Sequence, residues 1–97
     1  MRKLIDLAKM DEKGVFVYFR TQELCQDFMR AAEAEGITFG DGVKPTQRDV
    51  TDIFALHPDK TIAYVGFVGH MAFDAGVRVR VDYEKYLAGE EDFFYHK

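Results

Sequence analysis

The sequence contains no serine and no tryptophan, and only one cysteine occurs among its 97 residues. The absence of serine excludes nucleophilic catalysis through a serine hydroxyl. The single cysteine, Cys25, excludes a disulfide within the chain, and it lies on the apolar stripe of a predicted helix with neither His nor Lys close to it in sequence. A thiol in such a position behaves as a small buried hydrophobe. We therefore expect a protein that is not an enzyme and that carries no cofactor.

Long apolar runs are also missing from the sequence. No stretch approaches the roughly 20 apolar residues that a membrane-spanning helix needs. The N-terminus has a basic start at Arg2 and Lys3, but Asp6 and Lys9 interrupt the apolar residues that follow, which is not the pattern of a signal peptide. We therefore expect a cytoplasmic protein that has no membrane partner.

Positive charge is in deficit. The chain has 13 Lys and Arg residues against 17 Asp and Glu residues, so its formal net charge is −4. Binding to nucleic acid without regard to sequence requires clustered Lys and Arg that displace counterions from phosphates. Nucleic acid is therefore not an expected partner, whereas a basic surface on another protein is compatible with this charge.

Aromatic residues are abundant, with nine Phe and five Tyr. A chain of this length suffices for one domain, 1–97, that buries roughly two-thirds of its unfolded surface. We predict that the stretch 15–36 forms the centre of that domain. It opens with five β-branched or aromatic residues, which is typical of a strand covered on both faces. Thr21 then suits an N-cap, apolar residues recur at helical spacing, and Gly36 suits the helix end. A second strand at 37–39 would complete a β-α-β unit.

Three later segments also have clear patterns. Pro58 and Asp59 suit a type I turn that joins strands at 53–56 and 61–65. Residues 77–82 alternate valine with charged side chains, which predicts a strand with its valines towards the core. One or two helical turns are expected after Asp82, closed by Gly89.

Two segments are less defined. Residues 1–14 fit either a short amphipathic helix or an added edge strand, and the glycine-punctuated residues 66–76 are interpreted as a buried loop with a helical turn. The predicted fold class is α+β, with a four- to five-stranded, mostly antiparallel sheet. One long helix, at about 21–35, is expected to pack on one face of that sheet.

The most unusual feature is a run of three carboxylates followed by three aromatic rings: Glu90, Glu91, Asp92, Phe93, Phe94 and Tyr95. Aromatic anchors inside a charged rim are typical of protein interfaces. We therefore predict that these six residues bind a partner. The alternative reading is that the aromatic rings simply cover the sheet.

An arginine cluster offers a second kind of site. Arg78 and Arg80 project from one face of a predicted strand, and Arg20, Lys44 and Arg48 would lie near it if the strands pair suitably. Arginine binds phosphate and carboxylate groups through paired hydrogen bonds. The predicted ligand-binding set for a nucleotide or cyclic nucleotide consists of Arg48, Arg78 and Arg80 with Tyr64 beside the phosphate. The alternative is a solvated sheet face whose charges are balanced.

One group of residues suggests a metal. His70 and Asp74 are four residues apart and would share a face of a helical turn, and His57 could approach from the hairpin. A histidine before proline is usually solvated, however, and one between apolar residues is usually hydrogen-bonded in or near the core. We therefore predict no metal site. The Gly66 to Gly69 pattern lacks the basic residues of a nucleotide-clamping loop and is expected to serve packing.

Several segments resemble those of small proteins carried by prophages and other mobile elements of Firmicutes. They cover most of the chain, and they are residues 20–24 with Phe28, residues 35–39 with Asp41 and Gly42, residues 69–72 and residues 81–86. The resemblance implies a mobile-element accessory protein. Antagonism of a host defence system is a recurring role of such proteins, and sequestration of nucleotide signals is another.

The leading functional hypothesis is a non-enzymatic protein that binds a host protein, such as a CRISPR nuclease or another defence component, through its acidic surface and exposed aromatics. The alternative is a small-molecule binder that uses the arginine cluster. An enzyme that uses His70 and Asp74 comes third. A homodimer also stays open, because an edge strand at 77–82 could pair across a two-fold axis.

Overall fold

The strand that begins at Val15 lies inside a five-stranded sheet in the computed structural model, which describes residues 3–96. Four helices and a 3-10 turn connect or flank the strands. The elements in chain order are α1 (Leu4–Ala8), β1 (Val15–Tyr18), α2 (Gln22–Ala34), β2 (Thr38–Phe39), the 3-10 turn (Pro45–Gln47), β3 (Ile53–His57), β4 (Thr61–Tyr64), α3 (Phe67–Ala75), β5 (Arg80–Asp82) and α4 (Tyr83–Leu87).

The sheet is mixed, and its strand order is β2-β4-β3-β1-β5. The three central strands run antiparallel, since β3 pairs with both β1 and β4, whereas β2 joins β4 and β5 joins β1 in parallel. The expected α+β fold is confirmed, and the parallel pairings refine the prediction of a mostly antiparallel sheet. They arise because α2 and α3 each carry the chain back along the sheet, so the strand after the helix runs in the same direction as the strand before it.

Helix α2 covers the first face of the sheet, as predicted. The Thr21 hydroxyl accepts a hydrogen bond from the Leu24 amide at 3.2 Å, and Gly36 ends the helix with a φ of 78°. The buried face of α2 carries Cys25, Phe28, Met29 and Ala32. At its centre the Phe28 ring contacts the rings of Phe19, Phe54 and Tyr83, with centroids 5.1, 5.8 and 5.4 Å away.

The N-terminal segment forms a helix, which decides between its two predicted conformations. Helix α1 buries Leu4 and Leu7 in the same core. The first two backbone amides of α1 are hydrogen-bonded by a residue that is distant in sequence. The Glu35 carboxylate at the end of α2 accepts from Leu4 N at 2.9 Å and from Ile5 N at 3.2 Å. Glu35 therefore joins the two helices and caps α1.

The predicted hairpin is confirmed in β3 and β4. His57 pairs with Thr61, and the Lys60 amide donates to the His57 carbonyl at 3.2 Å across the turn. Lys60 has a φ of 66°, so the three-residue hairpin loop ends in one left-handed residue.

Residues 66–76 form a regular helix, α3, and the prediction of a buried loop is wrong. The glycines that suggested a loop lie instead at the helix boundaries, with Gly66 at the N-cap and Gly76 in the left-handed conformation at the C-terminal end. Gly69 lies inside the helix, in its first turn, where a Cβ would lie 2.5 Å from Val65 Cγ1. The missing side chain therefore leaves room for Val65, which lies between β4 and the N-cap, to pack against the first turn of α3.

Strand β5 is shorter than the predicted strand at 77–82, and its edge is not free. Val81 is buried and Arg80 lies on the opposite side, as the alternation predicts. The segment after Asp92 runs along β5: the Asp82 amide donates to the Phe93 carbonyl at 2.8 Å, and the Tyr95 amide donates to the Arg80 carbonyl at 3.0 Å. A homodimer through this edge would have to displace that segment.

Candidate functional site

Helix α3 directs most of its apolar side chains to solvent. Phe67, Val68 and Met71 are 82%, 78% and 58% exposed, and their spacing places them on one face of the helix. The opposite face holds Phe73, which is buried and packs against the rings of Phe16 and Tyr18, each with a centroid distance of 6.0 Å. The helix therefore has two apolar faces, of which one covers the sheet and the other is uncovered.

The end of α3 extends its uncovered face. Gly76 turns the chain back, and the Val77 amide donates to the Ala72 carbonyl at 3.3 Å, which places Val77 beside the last turn of the helix. Val77 is 65% exposed. We call Phe67, Val68, Met71 and Val77 the α3 face. Side chains of this size expose several hundred Å² together, and patches of that extent on a small protein often mark an interaction site.

Polar contacts hold α3 against the sheet. The Arg80 guanidinium donates to the Phe73 carbonyl at 3.0 Å and lies 5.4 Å from the Phe73 ring centroid. At the other end, His70 Nδ1 lies 3.0 Å from the Gly66 carbonyl oxygen, and His70 Nε2 lies 3.4 Å from the Asp52 carboxylate. The helix that presents the α3 face is therefore contacted by Arg80 in its C-terminal half and, through His70, by Asp52.

The contacts of His70 make this anchoring sensitive to pH. The hydrogen bond to Gly66 raises the pKa of His70, the carboxylate of Asp52 raises it further, and partial burial acts in the opposite direction. Both ring nitrogens can donate only in the imidazolium form. Protonated His70 therefore binds Asp52 more strongly than neutral His70 does.

We expect the free energy of unfolding to decline slightly as the pH rises through the pKa of folded His70. A pKa raised by folding means that the stabilisation is complete below the ordinary histidine pKa of about 6.5 and is lost above the folded value. Urea unfolding of the native chain and of His70→Gln is measured from below pH 6.5 to above the pKa of folded His70. The difference between their free energies of unfolding is then compared across this pH range. A constant gap between the two proteins across the whole range would contradict this expectation.

The acidic and the aromatic residues of the C-terminal segment differ in solvent exposure. Glu90, Glu91 and Asp92 are exposed, whereas Phe93 is buried in the main core. Tyr95 covers the second face of the sheet, with its ring centroid 4.8 Å from that of Phe73 and 4.9 Å from that of Tyr18.

Phe94 is half-buried and bridges to β5 through Val81. The aromatic rings at 93–95 thus mainly cover the sheet, which was the alternative reading of this segment. Asp92 accepts hydrogen bonds from His96 Nε2 at 2.8 Å and from the Phe94 amide at 3.2 Å, and the His96 contact is the main cause of the lowered pKa of this carboxyl group. The acidic side chains remain on the surface, whereas Phe93 is buried and Phe94 and Tyr95 are only partly exposed.

The four predicted ligand-binding residues lie on two different faces of the sheet. Tyr64 is on the α2 side, where its hydroxyl donates to the Asp49 carbonyl and its ring centroid lies 5.3 Å from that of Phe39. Arg48 lies over the same ring at 4.6 Å and pairs with Asp41. This pairing is the main cause of the lowered pKa of Asp41.

The two other arginines are on the far side. Arg78 lies 5.5 Å from the Phe16 ring centroid and donates to the Lys13 carbonyl, while Arg80 lies over Phe73 and over the Tyr95 ring at 5.3 Å. Arginine binds aromatic faces well because its planar cation is weakly hydrated. Arg78 and Arg80 therefore cover aromatic rings, and they do not form one cluster with Arg48.

The residues considered for a metal also separate. Within residues 3–96, no group of three His, Cys, Asp or Glu side chains is placed to hold a metal ion. Both ring nitrogens of His70 already contact other groups, the Gly66 carbonyl and the Asp52 carboxylate. Asp74 is exposed on the flank of α3. Of the two glycines expected to serve packing, Gly69 leaves room for Val65, whereas a Cβ at the N-cap Gly66 would meet no atom within 4 Å.

Comparison with known proteins adds no further constraint. No protein-family model, curated protein or solved structure matches this chain. Of the helices between residues 3 and 96, none combines the length and the apolar character needed to span a membrane. The candidate site therefore depends on the geometry of the chain itself.

The exposed apolar surface of α3 is the candidate site that the sequence patterns missed. Large apolar residues occur on two opposite faces of the helix, with Phe67, Val68 and Met71 on one and Phe73 on the other, so the pattern alone does not show which face packs on the sheet. The signal that could have revealed an exposed face is the pair of glycines, Gly66 and Gly76, at the spacing of a short surface helix.

Proposed function

We propose that this protein acts by binding another protein through the α3 face, and that it does not act by catalysis. One observation carries the proposal, which is the exposure of three large apolar side chains, Phe67, Val68 and Met71, on a helix anchored to the sheet. Exposing them to water is unfavourable, and a partner that covers them removes this cost.

The surroundings of the α3 face fit a protein interface. An apolar centre bordered by polar groups is the usual arrangement, and large side chains in the centre supply most of the binding energy. Here Asp74 and the His70–Asp52 pair border Phe67 and Met71. Charge on such a border sets the rate and the specificity of association more than the affinity.

We further propose a host protein as the partner. The resemblance to mobile-element proteins supports a component of a host defence system, such as a CRISPR nuclease. The net charge of −4 and the exposed Glu90, Glu91 and Asp92 favour a partner with a basic surface, which nucleases use to hold nucleic acid. The α3 face would then supply the apolar contact that the buried Phe93 cannot.

A small anionic ligand is the second candidate. A cleft of about 440 Å³ between α2 and the residues around the 3-10 turn is lined by Arg30, Arg48 and Thr46, and its size is within the usual range for ligand sites. Thermal-shift screening against nucleotides and cyclic dinucleotides tests this candidate, because a ligand stabilises the folded state by mass action. Both arginines already pair with Asp27 and Asp41, so the α3 face is the better-supported site.

Affinity capture from host lysate tests the main proposal. The purified chain is compared with Met71→Asp, which introduces a charge at the centre of the α3 face. We expect the captured protein to bind the variant at least about thirtyfold more weakly, the loss typical of a disrupted hot spot. Titration of the captured protein against both chains measures the ratio of dissociation constants.

The matched control is Met10→Asp. Met10 is also exposed, at 39%, but it lies outside the α3 face, so its replacement makes the same chemical change elsewhere. Equal binding by the native chain and Met71→Asp would reject the α3 face as the binding surface. Equal losses in Met71→Asp and Met10→Asp would reject it as well.

A further inference from the structure

We infer that a second copy of this chain covers the α3 face when no other partner is bound, with the two α3 helices packed antiparallel across a two-fold axis. The inference rests on the proposed function, because it names the resting occupant of the same face. Three features of the chain support it: the apolar area, the charges on α3, and the length of the helix.

The apolar area suits a symmetric dimer. A two-fold interface uses the same patch on both subunits, so each exposed side chain is buried twice in the assembly. The several hundred Å² of the α3 face, counted on two copies and with its polar border added, approach the roughly 1,000 Å² that a specific interface needs. Residues 93–95 already cover the β5 edge, so sheet extension there does not compete.

The charges on α3 are placed opposite to the preference of its own dipole. A helix favours negative charge near its N-terminus and positive charge near its C-terminus. The first turn of α3 holds Phe67, Val68 and Gly69, and the N-cap Gly66 has no side chain to accept their amides. The single carboxylate of the helix, Asp74, lies in the last turn. Within one copy this arrangement is unfavourable.

An antiparallel second copy reverses that disadvantage. α3 has nine residues, and Met71 is at its midpoint. Because each residue rises about 1.5 Å along a helix, Asp74 lies as far beyond Met71 as Val68 lies before it. Two helices that cross antiparallel at Met71 therefore bring Asp74 of each copy level with Val68 in the first turn of the other. Each carboxylate then lies at the positive end of the facing helix.

Sedimentation velocity over a micromolar to millimolar range tests the dimer. The native chain is expected to change with concentration from a mass of 11.2 kDa to twice that value. Met71→Asp is expected to stay at the monomer mass throughout, whereas Met10→Asp is expected to dimerise as the native chain does. Circular dichroism of each variant checks that it is folded.

A second pair of variants tests the antiparallel arrangement through charge alone. Asp74→Lys is expected to raise the dimer dissociation constant about tenfold, because each copy then places a cation at the positive end of the other helix. Glu91→Lys makes the same change in net charge at an exposed site away from α3. It is expected to leave the dissociation constant unchanged or to lower it, because it reduces the repulsion between two acidic chains.

Three results would overturn the inference: a native chain that remains monomeric, a Met71→Asp variant that dimerises like the native chain, or an Asp74→Lys variant that behaves like Glu91→Lys. The failure of this inference is distinguishable from that of the proposed function. A monomeric chain whose capture of a host protein still depends on Met71 rejects only the dimer. A dimer that captures nothing through Met71 rejects only the host partner.

Discussion

Phe28→Ala is expected to lower the free energy of unfolding by about 3–5 kcal/mol, the usual cost of removing a fully buried phenylalanine ring. Phe28 has no solvent exposure, and its ring contacts Phe19, Phe54 and Tyr83. These neighbours belong to different elements of the fold, so they cannot all move inward to fill the cavity. Urea unfolding followed by circular dichroism measures the loss.

Phe67→Ala is the matched control for Phe28→Ala. The same atoms are removed, but from a side chain that is 82% exposed, so the free energy of unfolding is expected to change by no more than about 0.5 kcal/mol. Similar losses for the two variants would contradict either the packing of α2 on the sheet or the position of α3 at the surface.

Asp82→Ala is expected to lower the free energy of unfolding by about 2–4 kcal/mol, because two separate roles of one carboxylate are lost. Asp82 is fully buried, and its Oδ2 accepts from Arg20 Nε at 3.1 Å and from Arg20 Nη2 at 2.7 Å. Its Oδ1 accepts from the Glu84 amide at 3.2 Å and so caps α4.

Asp82→Asn separates the two roles. The amide oxygen can still accept from Glu84 and cap α4, but it carries no charge for Arg20, so we expect a loss smaller than that of Asp82→Ala. Asp92→Ala is the control, since it removes a carboxylate whose side chain is 64% exposed and whose hydrogen bonds lie at the surface, so the midpoint of the urea transition should shift much less than that of Asp82→Ala. An Asp82→Ala midpoint equal to that of the native chain would contradict a structural role for the Arg20–Asp82 pair.

The elements with complete local signals were predictable from the sequence. The stretch 15–36 contains a strand, a capping residue at Thr21 and a terminating glycine at Gly36, and each of these acts on its immediate neighbours. The hairpin around Pro58 is equally local, because the turn residues determine how its two strands meet. Their success reflects agreement between local preference and the final fold.

Strand order could not be predicted, because it depends on contacts between residues that are distant in sequence. β5 pairs with β1, where Arg80 lies beside Phe16, while Phe54 and Tyr64 face the opposite side of the sheet. The alternation at 77–82 correctly separated Val81 from Arg80. The alternation contains no information about which strand pairs with β5. The predicted arginine cluster therefore combined residues from the two opposite faces of the sheet.

The same limit explains the C-terminal segment and α3. Phe93 enters the main core and Tyr95 packs on the other side of the sheet, and these places depend on the position of β5, which the local sequence does not contain. In α3, the apolar Phe67 and Phe73 have the same chemical character. Only Phe73 packs on the sheet. The distinction between an inner and an outer face of α3 arises only when the helix packs against the sheet.

Alkylation of a single introduced thiol tests the central claim, that the α3 face is the surface by which this protein binds. Val68→Cys introduces a thiol on that face, and the native Cys25 serves as an internal control, because it is fully buried and burial raises the pKa of its thiol. The rate is measured for the dilute chain alone and with the captured host protein added in excess. We predict rapid alkylation alone, strong protection in the complex, and an unmodified Cys25 in both. Equal rates with and without the bound protein would contradict the claim.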